Sequence, residues 1–359
     1  MTDSLIESSA ARLFADNVDK AVRDAAERGE FPRALWQLAL DNGFTQVLAA
    51  EAAGGLGLGW DDAWPLLRGL GYWQVPLPLA ETLVAGLLLS RAGLPVPEGP
   101  IALIEQGHDG ELRADGPTEA PRLSGRAYRV AWARHCSHAA VSLADGRIAL
   151  LPLAGAPSVS IESALNHARL PADHVALADA SAQAAASGLD GLAQPALALG
   201  ALARSCMMVG ALEWILEQSV QYANDRVQFG KPIGRNQAIQ QPLALLAGDV
   251  AAAKVASLVA AADAPSATGE ADPARTFFSV ATAKIRVGEA ATRGTSIAHQ
   301  VHGAIGFTHE HALHFATRRL WAWREEFGAD AWWAARLGRA AIAAGGAGFW
   351  PAMTARRFA

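Results

Sequence analysis

The second half of the chain is the part whose folding is most tightly constrained. Ser205, Met208, Leu212, Ile215, Ser219 and Tyr222 recur at the spacing of one helix face, which predicts a helix from Leu197 to about Asn224 with a narrow, close-packing stripe. Gln237 to Ala262 repeats the pattern, with Leu246, Val250 and Leu258 inward and Pro242 confined to the first turns, where its missing N–H is harmless. Asp263 to Ala271 is a polar connection, and Asp272-Pro273 then pairs a side-chain cap with a proline at the first helical position to open a helix that runs to Gly303. Another is expected from Thr308 to Gly328 and a last from Asp330 to Ala344, so the whole reads as an antiparallel bundle.

A bundle alone does not account for 359 residues, a length that suggests two or three packed units. Apolar spacing from Ser4 to Arg28 and again after Pro32 to Asn42-Gly43 makes the first 95 residues helical, and the Gly54 to Gly59 run reads as a helix-to-helix connection, since no Lys-Ser/Thr follows it. From 96 to about 182 the texture changes to short apolar runs such as Ile101–Ile104 and Ile148–Leu153, divided by Gly, Asp and Pro, as in a small β-barrel or sandwich. The expected organisation is a mainly α chain with a central β-domain: 1–95, 96–182 and 183–359.

Composition excludes several functions. Hydrophobic residues at 51% against 18% charged rule out disorder for most of the chain, and the net charge of −5, with no basic stripe, speaks against nucleic acid. Two cysteines, Cys136 and Cys206, cannot build a disulfide framework; with no apolar leader near Met1 and no uninterrupted spanning run, a soluble cytoplasmic protein is expected. His309, His311 and His314 with Glu310 lack further ligands at metal spacing, and His135, Cys136 and His138 lack an orienting acid, so neither cluster is read as a metal or nucleophilic site. The eleven tryptophans, among them Trp321, Trp323, Trp332 and Trp333, are read as packing between helices or subunits.

Two segments of the bundle carry a family likeness. Arg226-Val-Gln-Phe-Gly-Lys-Pro-Ile233 followed by Gln237 resembles the R-x-x-F-G-x-P-I-x-x-x-Q run of the acyl-CoA dehydrogenase family, and Gln300-Val-His-Gly-Ala-Ile-Gly-Phe-Thr308 resembles its Q-x-x-G-G-x-G-Y/F-T. Ala283-Lys284, Gly288–Ala291 and Glu51–Gly59 fit as well. The resemblance implies N-terminal helices, a central β-domain and a C-terminal four-helix bundle, assembled as a tetramer around FAD, with acyl-CoA as substrate and an electron-transferring flavoprotein as acceptor. It places Arg226, Gln228, Phe229, Gln237, Gln300, Val301, Gly303 and Ala304 as contacts to an FAD held mainly by a neighbouring chain. An arginine fork and neutral amides suit a pyrophosphate, and a glycine admits close approach.

The resemblance also exposes what is missing. The family's glutamate base stands at one of two places, and here those places hold Phe327 and Gly200. Glu326 and Glu325 lie beside the first, but one helical step turns a side chain by about 100°, and two glutamates at a helix C-terminus are expected to be solvated. The T-E-P-x-x-G-S-D-like and W-I-T/S-N runs that hold the flavin ring are not visible between Pro95 and Ala180, although Trp132 stands near the second's place as either a ring cover or a core residue. Groups a subunit would use on its own flavin are thus gone, and groups lent to a neighbour remain. This resembles the shorter, base-lacking subunit of heteromeric bacterial members that degrade steroid side chains. The alternatives are a self-sufficient homotetramer with Glu326 or Glu325 as base, a flavin monooxygenase-like relative, and a flavin-free scaffold that binds an acyl group.

Overall fold

A computed structural model describes residues 5–270 and 272–358. Met1, Ser4 and Ala271, which figure in the sequence expectations, lie outside them. The N-terminal unit holds α1 (Leu5–Asn17), α2 (Lys20–Glu27), α3 (Arg33–Asp41), α4 (Trp60–Tyr72) and α5 (Leu79–Arg91). The single periodic stretch from Ser4 to Arg28 is two helices, because Asp19 is extended and accepts the Val22 N–H at 2.9 Å, a cap that restarts the chain in a new direction. The glycine-rich residues 54–59 connect a short 3₁₀ turn to α4.

The middle unit contains β1 (Ile101–Glu105), β2 (Gly110–Asp115), β3 (Arg122–Ala131), β4 (His138–Ser142), β5 (Arg147–Pro152), β6 (Val159–Glu162), β7 (Ala172–Ser181) and β8 (Gln183–Ala186). They form two four-stranded sheets, ordered β1-β4-β5-β8 and β2-β3-β7-β6, whose inner residues share one apolar core. Strand β8 pairs with β5 and so carries this unit past residue 182.

The rest is helical: α6 (Pro195–Asp225), a two-residue hairpin of β9 (Val227–Gln228) and β10 (Lys231–Pro232), α7 (Gln237–Ala262), α8 (Pro273–His302), α9 (Leu313–Glu325) and α10 (Asp330–Ala355). Asp272 accepts the Arg275 N–H, as its position before Pro273 predicts. Helix α6 differs from the narrow stripe expected: every residue from Pro195 to Leu212 is buried, so it is the axle of the molecule. It crosses α4 where Gly71 and Gly210 leave backbone against backbone; a Cβ on Gly71 would fall 1.7 Å from the Met207 carbonyl oxygen. Leu258, expected inward, faces out from α7. Helix α9 begins at Leu313 rather than Thr308, because residues 303–307 coil into a 3₁₀ segment first, and α10 continues past Ala344 through a kink at Gly345. The expectation of no membrane-length run also fails, since α6 and α7 both have that length and apolarity; α6 lies wholly inside the protein, and α7 packs one face on α6 and α8.

Candidate active site

A cleft of about 740 Å³ opens between the β-domain and α9, lined by strand β3, residues 165–167 and the end of α9. Among the described residues no serine or threonine lines it. It does contain four carboxyl groups, and each already has a partner. Asp109 is paired with Arg129, and half-exposed Glu325 with Arg324. Burial raises Glu105 to about 8, so it is neutral at physiological pH, and it accepts the Leu197 N–H at 3.1 Å, capping the first turn of α6.

Glu326 is the fourth. Far from being solvated, it accepts from the Asn166 amide at 2.9 Å and from Arg204 Nε at 2.6 Å. Arg204, buried in the middle of α6, also pairs with buried Glu81 of α5. Burial alone would favour loss of the Arg204 proton, but the two flanking carboxylates hold the guanidinium charged more firmly than usual. This one ion network joins all three units: α5, the β-domain through Asn166, and the bundle. Beneath it, Lys284 Nζ donates to the carbonyls of Trp323 (2.6 Å), Arg324 (3.1 Å) and Glu326 (2.8 Å), so a buried cation closes the negative end of α9. Burial lowers Lys284 to about 7.

The turn so held presents Phe327. Its φ of 55° lies in the left-handed region, a strained conformation for a bulky side chain, and the Trp333 indole donates to its carbonyl at 3.0 Å. The ring lies on Gly200, and a Cβ at that glycine would sit 2.5 Å from it. The two places where the family resemblance puts a catalytic carboxylate are therefore in contact with each other, and an apolar ring fills the space between them. Trp132 is buried in the β-domain core against Phe31 and does not cover the cleft.

The residues expected to touch a neighbour's FAD gather at the opposite end of the bundle. The hairpin tip, Phe229-Gly230, has φ of 51° and 77° at its two residues, the geometry of a tight β-turn, and it leaves Phe229 101% exposed. The hairpin follows the end of α6, whose Tyr222 stacks on His302 at 4.7 Å, and this contact sets Arg226 and Gln228 beside the end of α8 with Gln300, Gly303 and Ala304. Gln237 opens α7 next to them. Arg226, Gln228, Gln237 and Gln300 are exposed, and no side-chain hydrogen bond or ion pair engages them among the described residues. Gly303 has φ of 60° and nothing within 4 Å of where a Cβ would stand. Val301 differs from the rest: its side chain is buried, so only its backbone can face a ligand.

The two ends of the bundle differ in how well their residues fit a flavin dinucleotide. The open end offers an unpaired guanidinium, free amides, an exposed aromatic ring and an approachable backbone, which suit a dinucleotide brought by another chain. The chain's own cleft, with Tyr128 as its one hydroxyl among the described lining residues and with Phe327 over Gly200, does not suit a flavin ring. Among the described residues no group of three or more His, Cys, Asp or Glu is placed to hold a metal ion, and the 309–314 histidines instead pack against one another, His309 against His314 at 5.2 Å. Cys136 is buried, which pushes its thiol well up, away from nucleophile chemistry. Arg204, Glu81, Glu105 and Asn166 were not singled out from sequence. A lone charge inside an apolar run, as Arg204 is between Ala203 and Met208 and Glu81 is in α5, was the available signal.

Comparison with known proteins places this geometry. Residues 2–93 match the model of the acyl-CoA dehydrogenase N-terminal domain, and residues 186–342 that of the acyl-CoA dehydrogenase C-terminal domain. The acyl-CoA dehydrogenase FadE27 of Mycobacterium tuberculosis is 29% identical over 305 residues, covering 79% of this chain and 81% of its own. Among solved structures, one chain of the ChsE4-ChsE5 complex from Mycobacterium tuberculosis superposes with a TM-score of 0.81 at 25% identity, covering 95% of this chain and 98% of that one. The Tcur3481-Tcur3483 steroid ACAD G363A variant gives 0.83 at 26% identity with the same coverage.

Proposed function

The chain belongs to the acyl-CoA dehydrogenase family, oxidoreductases that act on acyl-CoA and are generally FAD-dependent, and from that premise we propose that it is the base-lacking subunit of a heteromeric member. In this reading a partner chain of the same family supplies the glutamate that takes the substrate's α-proton, and the pair oxidises an acyl-CoA thioester to its 2,3-enoyl form. The partner also holds most of the FAD, which when bound accepts the hydride from the substrate's Cβ. This chain's part is to bind and orient: Arg226 offers its fork of donors to the pyrophosphate, Gln228, Gln237 and Gln300 add neutral donors, Phe229 packs on the cofactor, and Gly303 and Ala304 bring backbone close.

The observation that carries the reading is the contact of Phe327 with Gly200. It fills both base positions with one apolar contact, while Glu326, the nearest carboxylate, is held by Arg204 and Asn166. Similarity to two structures with paired names, ChsE4-ChsE5 and Tcur3481-Tcur3483, supports a partner. An electron-transferring flavoprotein is the acceptor this reading implies.

The test is to measure bound flavin and dye-linked turnover for the chain alone and after co-expression with a family member encoded beside it. The chain alone is expected to purify with little flavin and negligible turnover, and the complex to gain both. A lone chain that arrives yellow and turns over an acyl-CoA defeats the proposal.

A further inference from the structure

Helices α2 and α9 meet across a seam that carries more positive charge than the fold answers. Arg23 and Glu27 come from one face of α2, and Arg318 and Arg319 from α9. Among the described residues Glu27 is the one carboxylate paired with either α9 arginine: it accepts from Arg318 and lies 3.7 Å from Arg319 Nη1. Arg23 donates to a neutral group, the Gln74 amide oxygen, at 2.7 Å. Asp24 is engaged by Lys20 at 2.6 Å, and Asp19 caps α2. Three guanidinium groups therefore share one carboxylate, and Arg319 is wholly buried.

The hydrogen bonds left unmade there have a definite shape. Among the described residues, Nε of Arg23, Nε of Arg318, and Nε and Nη2 of Arg319 are buried without a hydrogen-bond partner, and so is Oε1 of Glu27. Charged donors buried in this way are costly, and folding alone gives no reason to gather several of them. The Phe315 ring, 5.1 Å from Arg23 and 5.8 Å from Arg319, attracts both cations but has no lone pair to offer their N–H groups. On Arg319 the two free nitrogens, Nε and Nη2, share one edge of the guanidinium, the fork that takes two oxygens of an oxyanion. The orphaned Glu27 oxygen adds a second requirement, because a ligand that satisfies it must itself donate a hydrogen. Inorganic phosphate keeps at least one O–H at neutral pH. Sulfate and chloride have none, and a phosphate monoester, with its second pKa at about 6, has mostly lost its own.

We propose that this seam binds inorganic phosphate: the free edge of Arg319 takes two of its oxygens, Arg23 and Arg318 add one donor each, and the phosphate O–H donates to Glu27 Oε1. The bound ion ties the N-terminal unit to the bundle beside the cleft, which Arg318 also lines. The site involves neither a flavin nor a partner chain, so it goes beyond the heteromeric reading.

Phosphate-free protein, with whatever partner chain co-purifies, tests it. Titration calorimetry is expected to show saturable phosphate binding, one ion per copy of this chain, and the melting temperature to rise above what chloride of equal ionic strength gives. Sulfate and ribose 5-phosphate should bind at least about tenfold more weakly, for want of the hydrogen that Glu27 accepts. Arg319→Lys keeps the charge but not the two-nitrogen edge, and should weaken phosphate binding by about tenfold or more. Glu27→Gln, whose amide can turn a donor toward sulfate, should narrow the preference for phosphate, and it keeps the test open should Arg319→Lys not fold. No phosphate binding, equal binding of sulfate or the monoester, or variants that bind and discriminate as the wild type does overturns the proposal. None of these readouts depends on flavin content or turnover, so failure here leaves the heteromeric reading to its own test.

Discussion

Two regions of the bundle carry the family's motifs and treat their polar groups in opposite ways. At the hairpin end, Arg226, Gln228, Gln237 and Gln300 are exposed and make no side-chain hydrogen bond, and Phe229 stands clear of the protein. At the cleft, every carboxylate has a partner, Lys284 has three, and Phe327 rests on Gly200. Folding accounts for the second region, because buried charges must be paired. It does not account for the first: exposed, unengaged donors contribute nothing to stability, and their arrangement gains meaning only with a ligand from outside. The comparison teaches that the polar groups at the hairpin end stay open to solvent, whereas those of the cleft are taken up by one another as part of the fold.

The largest effect should come from breaking the structural side. Arg204→Met leaves Glu81 buried and Glu326 without its cation, and removing one partner of a buried ion network costs about 3–5 kcal/mol. Urea unfolding measures this; a loss under about 1 kcal/mol means the network does not hold the cleft. On the lending side, Arg226→Ala should leave the melting curve of the lone chain unchanged and weaken flavin retention in the co-expressed complex about 10- to 100-fold, as expected for losing roughly 1.5–3 kcal/mol of charge-assisted hydrogen bonding. Equal flavin content in both complexes breaks the comparison from that side. Gly200→Ala comes next, at about 1–3 kcal/mol for overpacking against the Phe327 ring. The sharper version is the double variant with Phe327→Leu, which should recover part of that loss, since residues in contact couple and distant ones add.

The two ends of this difference were not equally legible in the sequence. The hairpin end was, because its motifs are contiguous: Arg226 to Gln237 and Gln300 to Thr308 each lie within a dozen residues, and helical periodicity places both at the ends of long helices. The bundle was legible for the same reason, down to the Asp272 cap. What one face of a helix meets is a separate matter. Leu258 fits the inward spacing of α7 yet faces out, because a helix apolar all round gives periodicity nothing to discriminate. The cleft was illegible because its contacts are remote in sequence: Glu81 with Arg204, Asn166 with Glu326, Gly200 with Phe327. The expectation of a solvated Glu326 came from its place at a helix C-terminus, and it failed because Arg204 and Asn166, both far away in the chain, hold its carboxylate. The α1–α2 break was missed because the helical period runs across it, and the Asp19 cap overrides the period.

The smallest expected effect concerns the one cleft carboxyl that has no cation. Glu105 is raised to about 8 by burial, from an ordinary value near 4.5, so the folded state binds its proton more tightly than the unfolded chain does. The stability it contributes is then complete below about pH 4.5 and is lost progressively as pH rises through 8. Glu105→Gln keeps a carbonyl oxygen for the Leu197 N–H and carries no proton to lose. At pH 5 the variant should match the wild type within about 0.5 kcal/mol, within the range of a single exchanged hydrogen bond. Between pH 5 and 8 its stability should fall less steeply, so that it becomes the more stable of the two at the alkaline end. Unfolding curves at four or five pH values decide it. Parallel pH profiles would mean that Glu105 is ionised in the folded protein, which would leave a carboxylate in the cleft available for chemistry and weaken the contrast between a lending end and a closed one.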